Sequence, residues 1–282
     1  MTIKLLVCCH KEGEKGDDLF VTVQGGAALG GDLGCDFRDD DGENISALNP
    51  CYNELTAAYW AWKNYDKLGS PDYVGLMHYR RYFYSDKNIK DAVLRTRADK
   101  GLFREKSRLN APVLRRLLGE RCFVCPRPAL RRSVYLQYAL THDKADLAVA
   151  MEIVREFFPE YAKTAQKYLA GKQNFFYNMF IFPKDIFQRY CRFVFPILQE
   201  YVKRRGAQER LFVSERLTGI FFLKLMEEGA VPRFLPVLVR EERGERRRAF
   251  LRAWKSAPNA KEKLLAFCRL FVARKGERRR IR

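Results

Sequence analysis

Two short apolar runs, Ile3–Cys9 and residues 73–77, constrain the fold more than any other feature, and each is followed directly by a histidine, His10 and His78. Runs of this length, rich in Leu, Val and Cys, read as strands buried on both faces. A polar, glycine-rich stretch from 12 to 41 follows the first, with a strand-like 19–23 and Gly25-Gly26 inside it. Residues 49–64 read as a helix. Asn49 suits its cap and Pro50 its first turn, and Leu55, Ala58, Tyr59 and Trp62 fall on one face. Further on, 104–118 reads as a basic helix and 121–124 as a strand stopped by Pro126 and Pro128. Helices are expected over 144–158 and 160–169, parted by Pro159, then a strand over 178–182 and helices over 185–201 and 214–228. Strands alternating with helices predict an α/β fold, with a mostly parallel sheet and helices on both faces. In such sheets ligands bind at the carboxyl ends of the strands.

A chain of 282 residues suffices for one such core without disulfide staples. Its 53 Lys+Arg against 34 Asp+Glu give a net charge of +19, which calls for an anionic partner. That charge is uneven: residues 240–282 hold 16 Lys+Arg and 5 Asp+Glu, a net of +11, leaving +8 for 1–239. The chain therefore reads as a domain over 1–239 and an appended basic tail over 240–282. Eight scattered cysteines make no disulfide framework. Cys122 and Cys125 fall in a strand, where positions three apart point to opposite faces, so they make a poor zinc pair. No apolar run is long enough for a signal peptide core or a membrane span, so the expectation is a cytoplasmic protein with reduced thiols.

The segment His78-Tyr79-Arg80-Arg81-Tyr82-Phe83 interleaves two arginines with aromatics straight after a buried strand. Arginine binds diphosphate bidentately and tyrosine stacks on a base or sugar, while the plainer reading is a solvated charge pair on an edge strand. Asp39-Asp40-Asp41 offers oxygen ligands to a divalent cation, or is a solvated loop. No phosphate-binding P-loop, dinucleotide glycine turn, serine-hydrolase elbow or kinase signature is present.

The blocks Asp41-Gly42-Glu43-Asn44-Ile45-Ser46, Asn49-Pro50, Asn53-Glu54-Leu55-Thr56, Tyr59-Trp60, Trp62-Lys63-Asn64 and residues 73–83 resemble the DUF4422 family. Gly25-Gly26-Ala27, Tyr135-Leu136-Gln137-Tyr138, His142, Pro159-Glu160-Tyr161, Asn178-Met179-Phe180 and Ser214-Glu215-Arg216-Leu217 agree with it, so the likeness runs over about 3–225. Its members are glycosyltransferase-like and associated with bacterial capsular, exopolysaccharide and lipopolysaccharide synthesis. The resemblance implies a GT-A-like fold and transfer of a sugar from a nucleotide-sugar donor, a UDP-sugar being expected, to a lipid-linked oligosaccharide. In GT-A enzymes a buried strand ends in Asp-x-Asp, which holds the donor diphosphate through a metal. Here His78-Tyr79-Arg80 stands in that place, so no metal or other cofactor is expected to be required. Arg80 and Arg81 would neutralise the diphosphate, and His78 would bond a phosphate oxygen or donor hydroxyl.

By position in this fold class, His10 and Lys11 would meet the base and ribose. Asn44, Ser46, Asn53, His142 and Asn178 would contact donor or acceptor, and Glu54 would face the same crevice. An inverting reaction needs a carboxylate base, for which Asp143 is placed ahead of Glu215. In the tail, 261–275 gathers Leu264, Leu265, Phe267, Cys268, Phe271 and Val272 on one arc with basic residues around it. This pattern suits the anionic inner face of a membrane, with docking on the core as the alternative. A basic nucleic-acid-binding protein and an inactive scaffold of a polysaccharide assembly complex remain as other readings. No nucleic-acid motif supports the first.

Overall fold

A computed structural model of the chain describes residues 1–86, 88–128, 132–206 and 211–241, with Lys100 described by its backbone alone. The amphipathic helix expected over 261–275 lies outside the described residues. The strands are β1 (Ile3–Cys9), β2 (Phe20–Gln24), β3 (Phe37–Arg38), β4 (Tyr73–His78), β5 (Arg81–Phe83), β6 (Val93–Thr96), β7 (Cys122–Pro126), β8 (Phe180–Pro183), β9 (Val231–Leu235) and β10 (Val237–Arg240). The helices are α1 (Asn49–Tyr52), α2 (Leu55–Lys63), α3 (Lys100–Lys106), α4 (Ala111–Leu117), α5 (Val134–Ala139), α6 (Lys144–Phe157), α7 (Ala162–Ala170), α8 (Lys184–Arg205) and α9 (Ser214–Glu227).

Two compact units form, one from Met1–Tyr79 with Asn110–Leu235, the other from Arg80–Leu109 with the described residues from Pro236 onward. In the first unit the strand order is β3-β2-β1-β4-β8-β7-β9, parallel throughout except for β8, which runs against both neighbours. This is the expected mostly parallel α/β sheet. Register puts Leu6, Leu76, Phe180 and Phe123 on one face, and they share a core with the apolar sides of α2, α6, α8 and α9. Helix α6 shows the local logic: the Asp143 carboxylate accepts from Ala145 N at 2.9 Å, and Leu147, Ala150, Met151 and Val154 are then buried at helical spacing. At Gly219 in α9 an added Cβ would overlap the Tyr168 hydroxyl of α7, so these helices approach only because the methyl is missing. On the sheet's other face, Thr22 Oγ1 donates to Glu14 O at 2.6 Å, which lays the glycine-rich segment against β2. In the second unit β10 pairs antiparallel with β5 and parallel with β6.

Two expectations of helix extent are corrected. The helix expected over 49–64 is broken at Asn53, whose φ of 51° and ψ of −129° leave helical space. Its carbonyl, released from a helical ladder, accepts from Asn49 Nδ2 at 2.9 Å. The helix expected over 104–118 is two helices, because Arg108 has φ 56° and Asn110 caps a new start by accepting from Val113 N at 2.9 Å. The line drawn at residue 239 falls inside β10, where Val239 pairs with both Arg81 and Arg95. The seven described cysteines are all buried and unbridged, and among the described residues no helix is long and apolar enough to cross a membrane.

Candidate functional site

Strands β1 and β4 run side by side with Cys8 opposite His78, so His10, two residues on, falls on the same face. The His10 ring lies 5.5 Å from that of His78 and 5.3 Å from that of Tyr79, centroid to centroid. His78 is only 7% exposed, while His10 and Lys11 are open to solvent. The two histidines read separately from the sequence are thus one cluster at the carboxyl ends of neighbouring parallel strands. Behind them, burial pushes the Cys8 thiol well up, and the charges of Glu54 and Asp39 add to that effect. A Cβ at Gly25 would stand 2.8 Å from Cys8 Sγ and 3.2 Å from Asn49 Nδ2, so the turn after β2 closes onto β1 only as glycine.

The three aspartates expected as a possible cation site diverge. Asp39 is buried and accepts from Gly26 N at 2.9 Å, Ala27 N at 3.0 Å and the Ser46 hydroxyl. Asp40 forms a two-pronged pair with Arg38 at 2.7 and 3.1 Å, and Asp41 pairs with Lys67 at 2.7 Å. Ser46, expected on the donor, is buried here, and its oxygen also accepts from Ala28 N at 3.0 Å. Asn44 builds its own turn, donating to Asp40 O and Gly42 O and accepting from Ser46 N.

A second polar cluster joins three elements. The Asn178 amide donates to Glu54 Oε1 and Ser214 Oγ, both at 3.0 Å, and its oxygen accepts from Thr218 Oγ1 at 2.9 Å. Asn178 precedes β8, which pairs with β4 through Phe180 opposite Leu76, so it lies beyond the end of that ladder on the His78 side. Glu54 stands at the head of α2 and Ser214 begins α9, bringing both helix starts to one place. Ser214 and Thr218 were missed in the sequence, since Ser/Thr in a helix carries no signal without its cross-chain partner.

The two carboxylates expected as bases stand apart. Asp143 caps α6 and faces Arg205 at 3.4 Å. Glu215, next to Ser214, pairs at 2.9 Å with Arg216, whose guanidinium is almost wholly enclosed and also donates to Gln137 Oε1 at 2.6 Å. His142 stacks on Phe212 at 4.2 Å and leans on Tyr138 at 4.9 Å. In the second unit, Arg81 lies in one row with Val239 and Arg95, and Arg80, in the turn just before β5, accepts from Arg240 N at 2.9 Å.

A metal held as in GT-A enzymes would need an acidic ligand set. The β4 end supplies His78-Tyr79-Arg80, and among the described residues no three His, Cys, Asp or Glu converge.

A mostly parallel sheet with polar groups gathered at its carboxyl edge defines an α/β protein of GT-A-like fold. The chain belongs to the DUF4422 family, described as a domain of unknown function, which it matches over residues 4–227. Among solved structures it is similar to the apo form of WbbM, a bifunctional glycosyltransferase, with a TM-score of 0.76 and 26% identity over 86% of this chain and 46% of that one. The chain thus spans about half the length of WbbM. No curated protein matches it.

Proposed function

We propose that this chain is a glycosyltransferase that moves a sugar from a nucleotide-sugar donor, a UDP-sugar, to a lipid-linked glycan in the assembly of cell-surface polysaccharide. The observation that carries the reading is the His10–His78 cluster at the carboxyl ends of β1 and β4, in a fold similar to that of WbbM. In this reading His10, with Lys11, meets the nucleotide, and His78 donates to a phosphate oxygen or sugar hydroxyl. Arg80 and Arg81 supply the fixed positive charge that a metal supplies elsewhere, so no cofactor takes part. Glu215 is the better base for an inverting transfer. It adjoins the Asn178–Ser214–Glu54 network, whereas Asp143 is committed to a helix cap and Arg205. The basic segment 240–282 holds the enzyme at an anionic cytoplasmic membrane face, a role its net charge of +11 supports.

Thermal-shift titration with UDP, GDP and CMP in excess EDTA tests the reading, since only a ligand that binds the native state raises the transition. UDP is expected to stabilise, and Glu215→Gln to abolish transfer while leaving that shift intact. No shift with any nucleotide, or a shift that needs added Mn²⁺, would overturn it.

A further inference from the structure

The glycine-rich segment laid against β2 brings two cysteines from separate parts of the sequence together. Cys9 ends β1 opposite Gln24, and Val7, two residues earlier, is opposite Thr22, so these four side chains share one face of the sheet. Asp36 is fastened to that face twice: Thr22 N donates to its Oδ2 at 2.9 Å, and Asp36 N donates to Thr22 Oγ1 at 2.9 Å. Cys35, the residue before it, is also held, its carbonyl accepting from Lys15 Nζ at 2.9 Å. Gly25 N donates to Cys9 O at 2.7 Å and fixes the end of β1. Within this frame the side chains of Cys9 and Cys35 are hydrogen-bonded to each other.

The two sulfurs differ in character. Cys9 is wholly enclosed, whereas Cys35 keeps 7% of its surface open. The residue before Cys35 is Gly34, where an added Cβ would meet no atom within 4 Å, so space remains beside the more open thiol. The hydrogen bond from Cys9 favours the Cys35 thiolate and brings its pKa down to about 7, while the same bond and burial push Cys9 up. Burial pushes up Cys8, the neighbour of Cys9 in β1, and likewise Cys125 and Cys191. A partly open thiolate beside an enclosed thiol is the arrangement of a reactive cysteine with its resolving partner.

We propose that Cys35 and Cys9 form a peroxide-reactive pair that closes reversibly into a disulfide. The Cys35 thiolate attacks one oxygen of hydrogen peroxide; the S–O bond forms as the O–O bond breaks, and hydroxide leaves. Cys35 is thereby oxidised to a sulfenic acid and the peroxide is reduced. The Cys9 sulfur, giving up its proton, then attacks the Cys35 sulfur. The S–S bond forms as the S–O bond breaks, and the released hydroxide takes that proton as water. Two thiols and one hydrogen peroxide yield one disulfide and two waters. The new bond staples the glycine-rich segment to the end of β1, one residue before His10. The pair stands independently of the glycosyltransferase reading.

Mass spectrometry of the reduced full chain tests the pair, after treatment with one equivalent of hydrogen peroxide, alkylation and tryptic digestion without reductant. Residues 5–11 and 16–38 are expected as one linked peptide, lighter than their sum by two hydrogens and parted again by a thiol reductant. Cys8→Ser is expected to keep the link, which assigns it to Cys9. Cys9→Ser is expected to lose the link and to leave Cys35 as a sulfenic acid that takes up dimedone. Should the serine variants not fold, the wild-type chain in urea serves as the comparison. The link is expected to form at least about tenfold faster in the folded chain, which holds the two sulfurs within reach. A folded wild-type chain that stays reduced, a link that runs through Cys8, or a rate no greater than in urea overturns the proposal.

Discussion

The imidazoles of His10 and His78 lie 5.5 Å apart at 51°, the buried one beneath the exposed one. Groups in such contact do not act independently. His10→Ala and His78→Ala are each expected to weaken UDP binding about tenfold, with the double variant losing less than the product of the two. Calorimetric affinities close the cycle, and strictly multiplicative losses would show that the rings serve separate ligand groups.

Asn178 spends its side chain on Glu54, Ser214 and Thr218, with the Tyr190 hydroxyl 2.9 Å from Thr218 Oγ1. Asn178→Ala leaves these partners without their bonds and is expected to cost about 2–4 kcal/mol in urea unfolding. Asn178→Asp puts a second carboxylate beside Glu54, so that variant should recover stability as the pH is lowered towards 5. A loss below about 1 kcal/mol for the alanine variant would mean that water replaces the amide.

Asp39 holds two backbone amides and a hydroxyl from a buried position. Asp39→Ala is expected to destabilise by about 2–4 kcal/mol, and Asp39→Asn, which keeps one acceptor, by about half as much. Equal losses for both would assign the effect to the charge alone.

Asn53 holds a φ of 51° with ψ −129°, a region that glycine occupies without steric cost. Its side chain returns only a 3.3 Å contact to Cys51 O. Asn53→Gly should therefore raise stability by about 1 kcal/mol and Asn53→Ala should lower it. A lower melting temperature for the glycine variant would contradict the strain.

Acid is expected to destabilise the fold through paired carboxylates. Arg38 holds Asp40, Lys167 holds Glu227 and Arg189 holds Glu228 below the ordinary carboxylate range. Folded values below unfolded ones mean stability that is present above that range and lost as the pH falls through it. The urea midpoint should drop from about pH 5 downwards, and Arg189→Gln should flatten part of that slope. The pairs are partly exposed, so 1 M salt should shrink the difference between variant and wild type.

Strand β1 was legible because a core strand of a parallel sheet is apolar on both faces, and α6 because Asp143 announces its start. Strands β9 and β10 were not, since Pro232, Arg233 and Pro236 break the apolar pattern and Arg240 looks like the start of a basic tail. The site divides in the same way. His10 and His78 were visible as strand ends, but their contact depends on β1 lying beside β4, which pairing decides. The place of Arg81 beside Val239 and Arg95 likewise depends on β10 lying between β5 and β6, which pairing decides.

Gly219 has a meaning beyond close packing. It lies just over one turn into α9, whose first residues are Ser214 and Glu215, and it rests directly on the Tyr168 hydroxyl. Tyr168 is itself fixed by Asn174 and the Phe175 amide. The depth to which α9 can sink is therefore gauged by an atom that is not there. A single methyl at 219 would lift the helix start and carry Glu215 with it, detuning the distance between a candidate base and its acceptor without touching either.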